Sequence, residues 1–177
     1  MDLLRLRTSL SEAVEAELNK QIKVEAQSSA NYLAMASWCE QHGFEQSAEF
    51  LYNQATEERD HMMRIFRYVN EVGGMSYSPN TGEINHEYES LRAVFETMLE
   101  QEIGVSQSIN RLMDVCSKEQ DHTTTQFLLW FVDEQREEEK IARRVLELFD
   151  VIGEGGPGLF MIDQEIGKLI AAQDAGA

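Results

Sequence analysis

Apolar residues return every three to four positions through four long stretches of this chain, the spacing of amphipathic helices. The pattern predicts a first helix from about Ser9 to Cys39 and a second from about Phe44 to Val72. A third runs from near Ser90 to near Ser117, and a fourth from around Thr123 to near Val151. Local signals agree. Ser9 with Glu12, and Thr123 with Gln126, read as capping boxes. His42-Gly43 ends the turn after the first helix, and Gly73-Gly74 stops the second. Each helix spans roughly 28 residues, or about 42 Å at 1.5 Å per residue. Four helices of equal length predict an all-α four-helix bundle over about residues 9–151.

Connection lengths set the topology. The first and third connections are a few residues each, so each joins an antiparallel hairpin. The middle segment, Gly73 to Glu89, is far longer and holds Pro79 and the turn-like Asn80-Thr81-Gly82. Roughly 17 extended residues reach about 56 Å, enough to cross the bundle and let the second and third helices run parallel. After the fourth helix, Gly153 to Gly158 reads as a hinge. Leu159, Ile162, Ile166, Leu169 and Ile170 then recur at helical spacing and predict a short fifth helix over about 159–171. Such a helix docks either on its own bundle or between subunits, and the sequence leaves both open. The whole chain, 1–177, reads as one domain.

Polar residues interrupt this pattern where leucine is expected. Glu25 shares a face with Val14, Leu18, Tyr32 and Ala36. Glu58 and His61 share one with Phe44, Leu51, Met62, Ile65 and Val69. Glu102 lies among Leu91, Phe95, Met98, Ile109 and Met113. Gln135 and Glu138 lie among Phe127, Leu128, Phe131, Ala142, Leu146 and Phe149. An unpaired carboxylate in a core costs several kcal/mol or takes up a proton. Four carboxylates and one imidazole aimed at one another ask for cations, and four negative charges balance two divalent ions. The alternative is a buried network of protonated or water-bridged carboxylates.

Glu58-Arg59-Asp60-His61 is an E-x-x-H pair, a spacing of three that brings both donors to one metal. Alone it is a weak signal; its match with three other helices gives it weight. A di-iron bundle uses single Glu ligands from two helices and paired motifs from the other two. Here Glu25 and Glu102 are the singles, and Glu58/His61 and Gln135/Glu138 the pairs. Hard oxygen donors with one imidazole suit iron or manganese, with zinc as competitor. Glu58 is central enough to bridge two metals. Tyr32, two turns from Glu25, is a candidate catalytic residue or simply a core aromatic. Glu57, Glu134 and Glu137 flank these positions, and with Glu138 they offer a third, looser metal position. The plain alternative for such an acidic run is a solvated face, the reading preferred for Glu139. Trp130 reads as packing, and His42, His86 and His122 as surface histidines.

Composition narrows the function. The formal net charge is -17, which repels nucleic acid and anionic membranes and suits a protein that gathers cations. No apolar run reaches transmembrane length, and Met1 to Lys20 lacks the apolar core of a signal peptide. Cys39 and Cys116 form no CxxC pair and read as reduced thiols of a cytoplasmic protein.

Glu25, Tyr32, Glu58-x-x-His61, Glu102, Trp130 and Glu134-Gln135-Arg136-Glu137-Glu138-Glu139-Lys140 together resemble the bacterial non-heme ferritins, a ferritin-like fold with one long crossover. The likeness extends to Gly158-Leu159-Phe160-Met161-Ile162-Asp163. It implies a hollow 24-subunit homo-oligomeric cage that acts as a ferroxidase. Such a cage oxidises Fe(II) to Fe(III) with O2 or H2O2 and stores a ferric oxide mineral. By that resemblance a first metal takes Glu25, Glu58 and His61, and a second takes Glu58, Glu102 and Glu138 with Gln135 nearby. A third takes Glu57, Glu134, Glu137 and Glu138. Bacterioferritins carry E-x-x-H on both paired helices; here the fourth helix reads Gln135-x-x-Glu138, so the second metal lacks a nitrogen donor. Their heme-ligating Met follows the first Glu, where this chain has Arg59, so heme is not expected. A rubrerythrin needs CxxC pairs. The competing functions are a di-iron oxidase or oxygenase of a small substrate, and a helical scaffold with a structural metal.

Overall fold

The computed structural model describes residues 7–174, with the side chains described as far as Leu169. Residues 1–6 of the segment read against a signal peptide, and the side chain of Ile170, lie outside the described residues. The chain forms α1 (Glu12–Gln41), α2 (Glu45–Glu71), α3 (Leu91–Lys118), α4 (His122–Ile152) and α5 (Gly158–Asp174), with no strand among the described residues. The first four build the expected bundle. No described helix is long and apolar enough to cross a membrane.

Two helix starts differ from the sequence reading. Ser11, not Ser9, caps α1, its hydroxyl accepting from the Val14 N–H at 3.3 Å. Leu10 is buried and donates its N–H to Thr8, so the chain enters the helix only after it. Asp121, not Thr123, caps α4, accepting from the Thr124 N–H at 2.9 Å and from its hydroxyl at 2.6 Å. A carboxylate is the stronger acceptor at the positive end of a helix. Ser90 caps α3 at Ala93, where the third helix was expected to start.

Hydrogen bonds trace the crossover along α1. Asn19 and Met75 meet first, with Tyr77 donating its N–H to Asn19 at 2.8 Å. Gln27 then accepts from the N–H of Gly82. Farther along, Tyr88 packs edge-on against Trp38. The crossover therefore travels from the start of α1 toward its end, so α3 begins at the end where α2 began and runs parallel to it. At its start Gly73 adopts φ +89°, a left-handed conformation that closes α2.

The last helix docks on its own bundle, the question the sequence left open. Ile162 and Ile166 are fully buried, and α5 lies against α2 and α4. Phe44, at the start of α2, offers no side-chain cap. Asp163 of α5 supplies one, accepting from the N–H groups of Gln46 and Ser47 and from the Ser47 hydroxyl.

The apolar interior is split in two. One cluster holds Tyr32, Phe50, Phe95 and Phe149 with α5; the other holds Leu18, Ile65, Ile109, Leu128 and Phe131. Along every bundle helix the interrupting polar residues fall between the clusters. They form a polar layer across the middle of the bundle. Packing joins α1 to α2, α3 to α4 and α1 to α3, but no described Cα of α2 comes within 8 Å of one in α4. A groove along that wider seam reaches the layer at His61.

Candidate metal centre

All six residues expected around two metals are buried. Exposure is 1% for Glu25 and Glu58, 4% for His61 and Gln135, 0% for Glu102 and 2% for Glu138. Helical spacing aims each side chain inward, and the apolar clusters above and below keep water away. Burial is accordingly the main cause that pushes the Glu25, Glu58 and Glu138 carboxyls well above the usual carboxylate range. Repulsion adds to it: Glu58 on Glu25, Glu102 on Glu58, and Glu57 on Glu138. Glu102 is raised by burial too, opposed by its hydrogen bonds from Tyr32 and Gln135.

Glu25, Glu58 and His61 bring ligand atoms within 4.8 Å of one another. Glu58 Oε2 lies 3.7 Å from His61 Nδ1, beyond hydrogen-bond range. Glu25 Oε2, Glu58 Oε2 and His61 Nδ1 are all buried without a hydrogen-bond partner. Buried polar atoms left unsatisfied are costly, and three converging at one point fit a bound cation. Burial also favours a proton on Glu25 over a charge there.

The other half of the layer is better satisfied. Tyr32 donates its hydroxyl to Glu102 Oε1. Gln135 donates to Glu102 Oε2 at 3.1 Å. Glu102 and Glu138 both bear electrostatically on Glu58, which stands between the halves. The Tyr32 phenol is pushed up by burial and by Glu102, so it stays a hydrogen-bond donor.

The flanking acids divide. Glu57 and Glu134, both half-buried, group with His61 within 4.8 Å. Glu137 is exposed and lies 3.5 Å from Arg136, outside that group. Glu139 accepts from Ser106 and Arg143 on the other side of α4. Trp130 packs edge-on to His61 at 5.3 Å, and the Arg64 guanidinium lies 4.0 Å over its ring. A groove of about 850 Å³ along the α2–α4 seam reaches His61. Charged Glu57, Asp60, Arg64, Arg67 and Glu71 line it along with the rings of Tyr68, Phe127 and Trp130. Of the three histidines read as surface, His42 is exposed and stacks on Trp38 at 3.9 Å, and His86 and His122 are exposed. Cys39 and Cys116 are buried and free; burial pushes their thiols up to about 12 and about 11.

Sequence reasoning missed a set of supporting amides. Gln21 donates to Glu25 Oε1 at 2.8 Å and accepts from Ser108 at 2.6 Å. Gln54 donates to Glu138 and Glu57. Both glutamines sit four residues before a layer glutamate, on its helix face. That spacing was the available signal.

The chain is similar to several known proteins. A family model described as a ferritin-like domain matches residues 15–152. A probable bacterial non-heme ferritin-like protein of Haemophilus influenzae is 42% identical over 160 residues, covering 90% of this chain and 97% of its own. A bacterial non-heme ferritin of Escherichia coli is 37% identical over 153 residues, covering 86% and 93%. Among solved structures, an open-pore ferritin from the archaeon Archaeoglobus fulgidus superposes with a TM-score of 0.87 at 35% identity, covering 90% of this chain and 97% of that one.

Proposed function

Because this chain belongs to the ferritin family, we propose that its polar layer is a ferroxidase centre and that the protein stores the iron it oxidises. The observation that carries this reading is the convergence of three unpartnered buried atoms, on Glu25, Glu58 and His61. Two Fe(II) ions are substrate here. Glu25, Glu58 and His61 hold the first. Glu58, Glu102 and Glu138 hold the second, with Gln135 beside it. Each iron gives up one electron. O2 with two protons takes the pair and becomes H2O2, or H2O2 with two protons becomes two waters.

The residues contribute in distinct ways. Glu58 spans both ions. Tyr32 and Gln135 fix the rotamer of Glu102 by donating to its two oxygens. The apolar clusters exclude water, so the carboxylates keep their affinity for cations. Protons held on the raised carboxyls leave as the metals arrive. Glu57 and Glu134, with Glu137 and Glu138 more loosely, offer a third position facing the groove. The product passes to a mineral inside a 24-subunit cage in the cytoplasm.

Anaerobic Fe(II) titration followed by air tests this reading. Tight binding of about two ions per subunit, a rapid oxidation phase and then uptake far beyond the centre are the expected results. Saturation at two or three irons would favour the oxidase instead. Size exclusion separates a cage from a monomer or dimer.

A further inference from the structure

Gln54 precedes Glu58 by one turn of α2 and is 1% exposed. Its amide nitrogen donates to Glu57 Oε2 and to Glu138 Oε2, each at 3.2 Å. Its amide oxygen is buried without a partner. The two carboxylates belong to different surroundings. Glu138 is part of the polar layer, while Glu57 faces the groove and groups with Glu134 and His61. Gln54 thus stands on the line between the groove and the paired metal positions.

An NH2 group between two carboxylates puts partial positive charge where a cation would be drawn. Turning the amide by about 180° exchanges its nitrogen for its oxygen with no change of shape. With that position empty the turn is unfavourable, because an oxygen would face two carboxylates. With a cation there the balance reverses. The unpartnered oxygen becomes a ligand, and both carboxylates remain beside it.

Resting on the iron reading above, we propose that Gln54 is a further metal ligand. Its Oε1 holds a cation between Glu57 and Glu138, and its NH2 closes the same position once the cation has left. The donor set is oxygen alone, which suits Fe(II) and Mn(II) and admits Zn(II) as competitor. It differs from the third position read from sequence by including a neutral amide and leaving out the exposed Glu137. Each arriving ion must displace two hydrogen bonds, so the ion is held weakly and passes on.

Zn(II) tests this without oxidation. In crystals of the intact assembly soaked with Zn(II), anomalous scattering should show an ion between Glu57 and Glu138. A Gln54 amide atom should lie about 2.0–2.3 Å from it. With the Glu25, Glu58 and His61 position filled, an absent third ion, or one with the amide beyond ~3.5 Å, overturns the proposal. If that inner position is empty as well, the metal-centre reading fails with it. Gln54→Glu supplies a second measurement. It removes the donor and adds a carboxylate of the same length. By calorimetry this variant should bind the third Zn(II) at least about 10-fold tighter, since carboxylate count tunes affinity. Equal or weaker third binding overturns the proposal.

Discussion

The carboxylate of Asp163 in α5 accepts from both the N–H and the hydroxyl of Ser47 in α2, at 2.8 and 2.7 Å. One buried side chain therefore does two things. It satisfies the free N–H groups at the start of α2, and it fixes the last helix to the bundle. Asp163→Ala should cost about 1–3 kcal/mol of stability, the loss of a charged, buried cap. Asp163→Asn should recover much of it, since an amide oxygen still accepts. Chemical denaturation of both variants checks the ranking; an unchanged midpoint for Asp163→Ala would show that α5 is held by Ile162 and Ile166 alone.

His61 supplies the one imidazole among the described residues of the polar layer. His61→Ala should leave the helical content intact and abolish the rapid oxidation phase. First-metal binding should fall at least about 10- to 100-fold, a loss typical even for groups that only orient a ligand. Stopped-flow absorbance after mixing with O2 reads the phase directly. Oxidation at the wild-type rate would rule out His61 as a ligand.

The bundle and its inward carboxylates were legible in the sequence for a physical reason. A glutamate on an apolar helix face breaks a strong period, and Glu25, Glu58, Glu102 and Glu138 each do so. What stayed hidden depends on contacts between distant segments. Asp163 meets Ser47 across more than a hundred residues of chain, and nothing local to either marks the cap. Ser11 replaced Ser9 because the burial of Leu10 decides where the helix opens, and tertiary packing is invisible to a capping motif. Gln54 and Gln21 are ordinary helix formers in sequence, and only the fold brings Glu138 and Ser108 within their reach.

Glu25 carries a proton readily because burial raises its pKa, with Glu58 adding to the shift. A carboxyl raised on folding stabilises the protein at low pH, and that contribution is lost as pH rises through the folded value. Glu25→Gln mimics the protonated form at every pH. The metal-free variant should therefore be more stable than metal-free wild type at pH 8, by about 1–3 kcal/mol. The gap should close as the pH falls toward the ordinary carboxyl value of 4.5. Thermal unfolding in chelator across that range gives the curve. A gap that widens toward acid would contradict the raised pKa.

Gln135 turns its NH2 toward Glu102, so the second metal position has one neutral neighbour where a fifth carboxylate would fit. Gln135→Glu replaces that donor with a charge facing Glu102. The pair then favours a cation more strongly, and iron should remain at the centre longer after oxidation. Rapid-freeze Mössbauer spectra would follow the decay of centre-bound Fe(III). Faster release with both positions still filled would mean that weak second-site binding does not drive turnover.

Trp130 touches the imidazole that holds the first metal, while Trp38, the only other tryptophan of the chain, is stacked on His42 in the opposite apolar cluster. The protein consequently contains its own optical gauge. A paramagnetic ion arriving at His61 should quench the indole beside it and leave the distant one as a constant background. Filling of the first position can then be followed from tryptophan emission alone, without a label and before any colour from ferric iron develops.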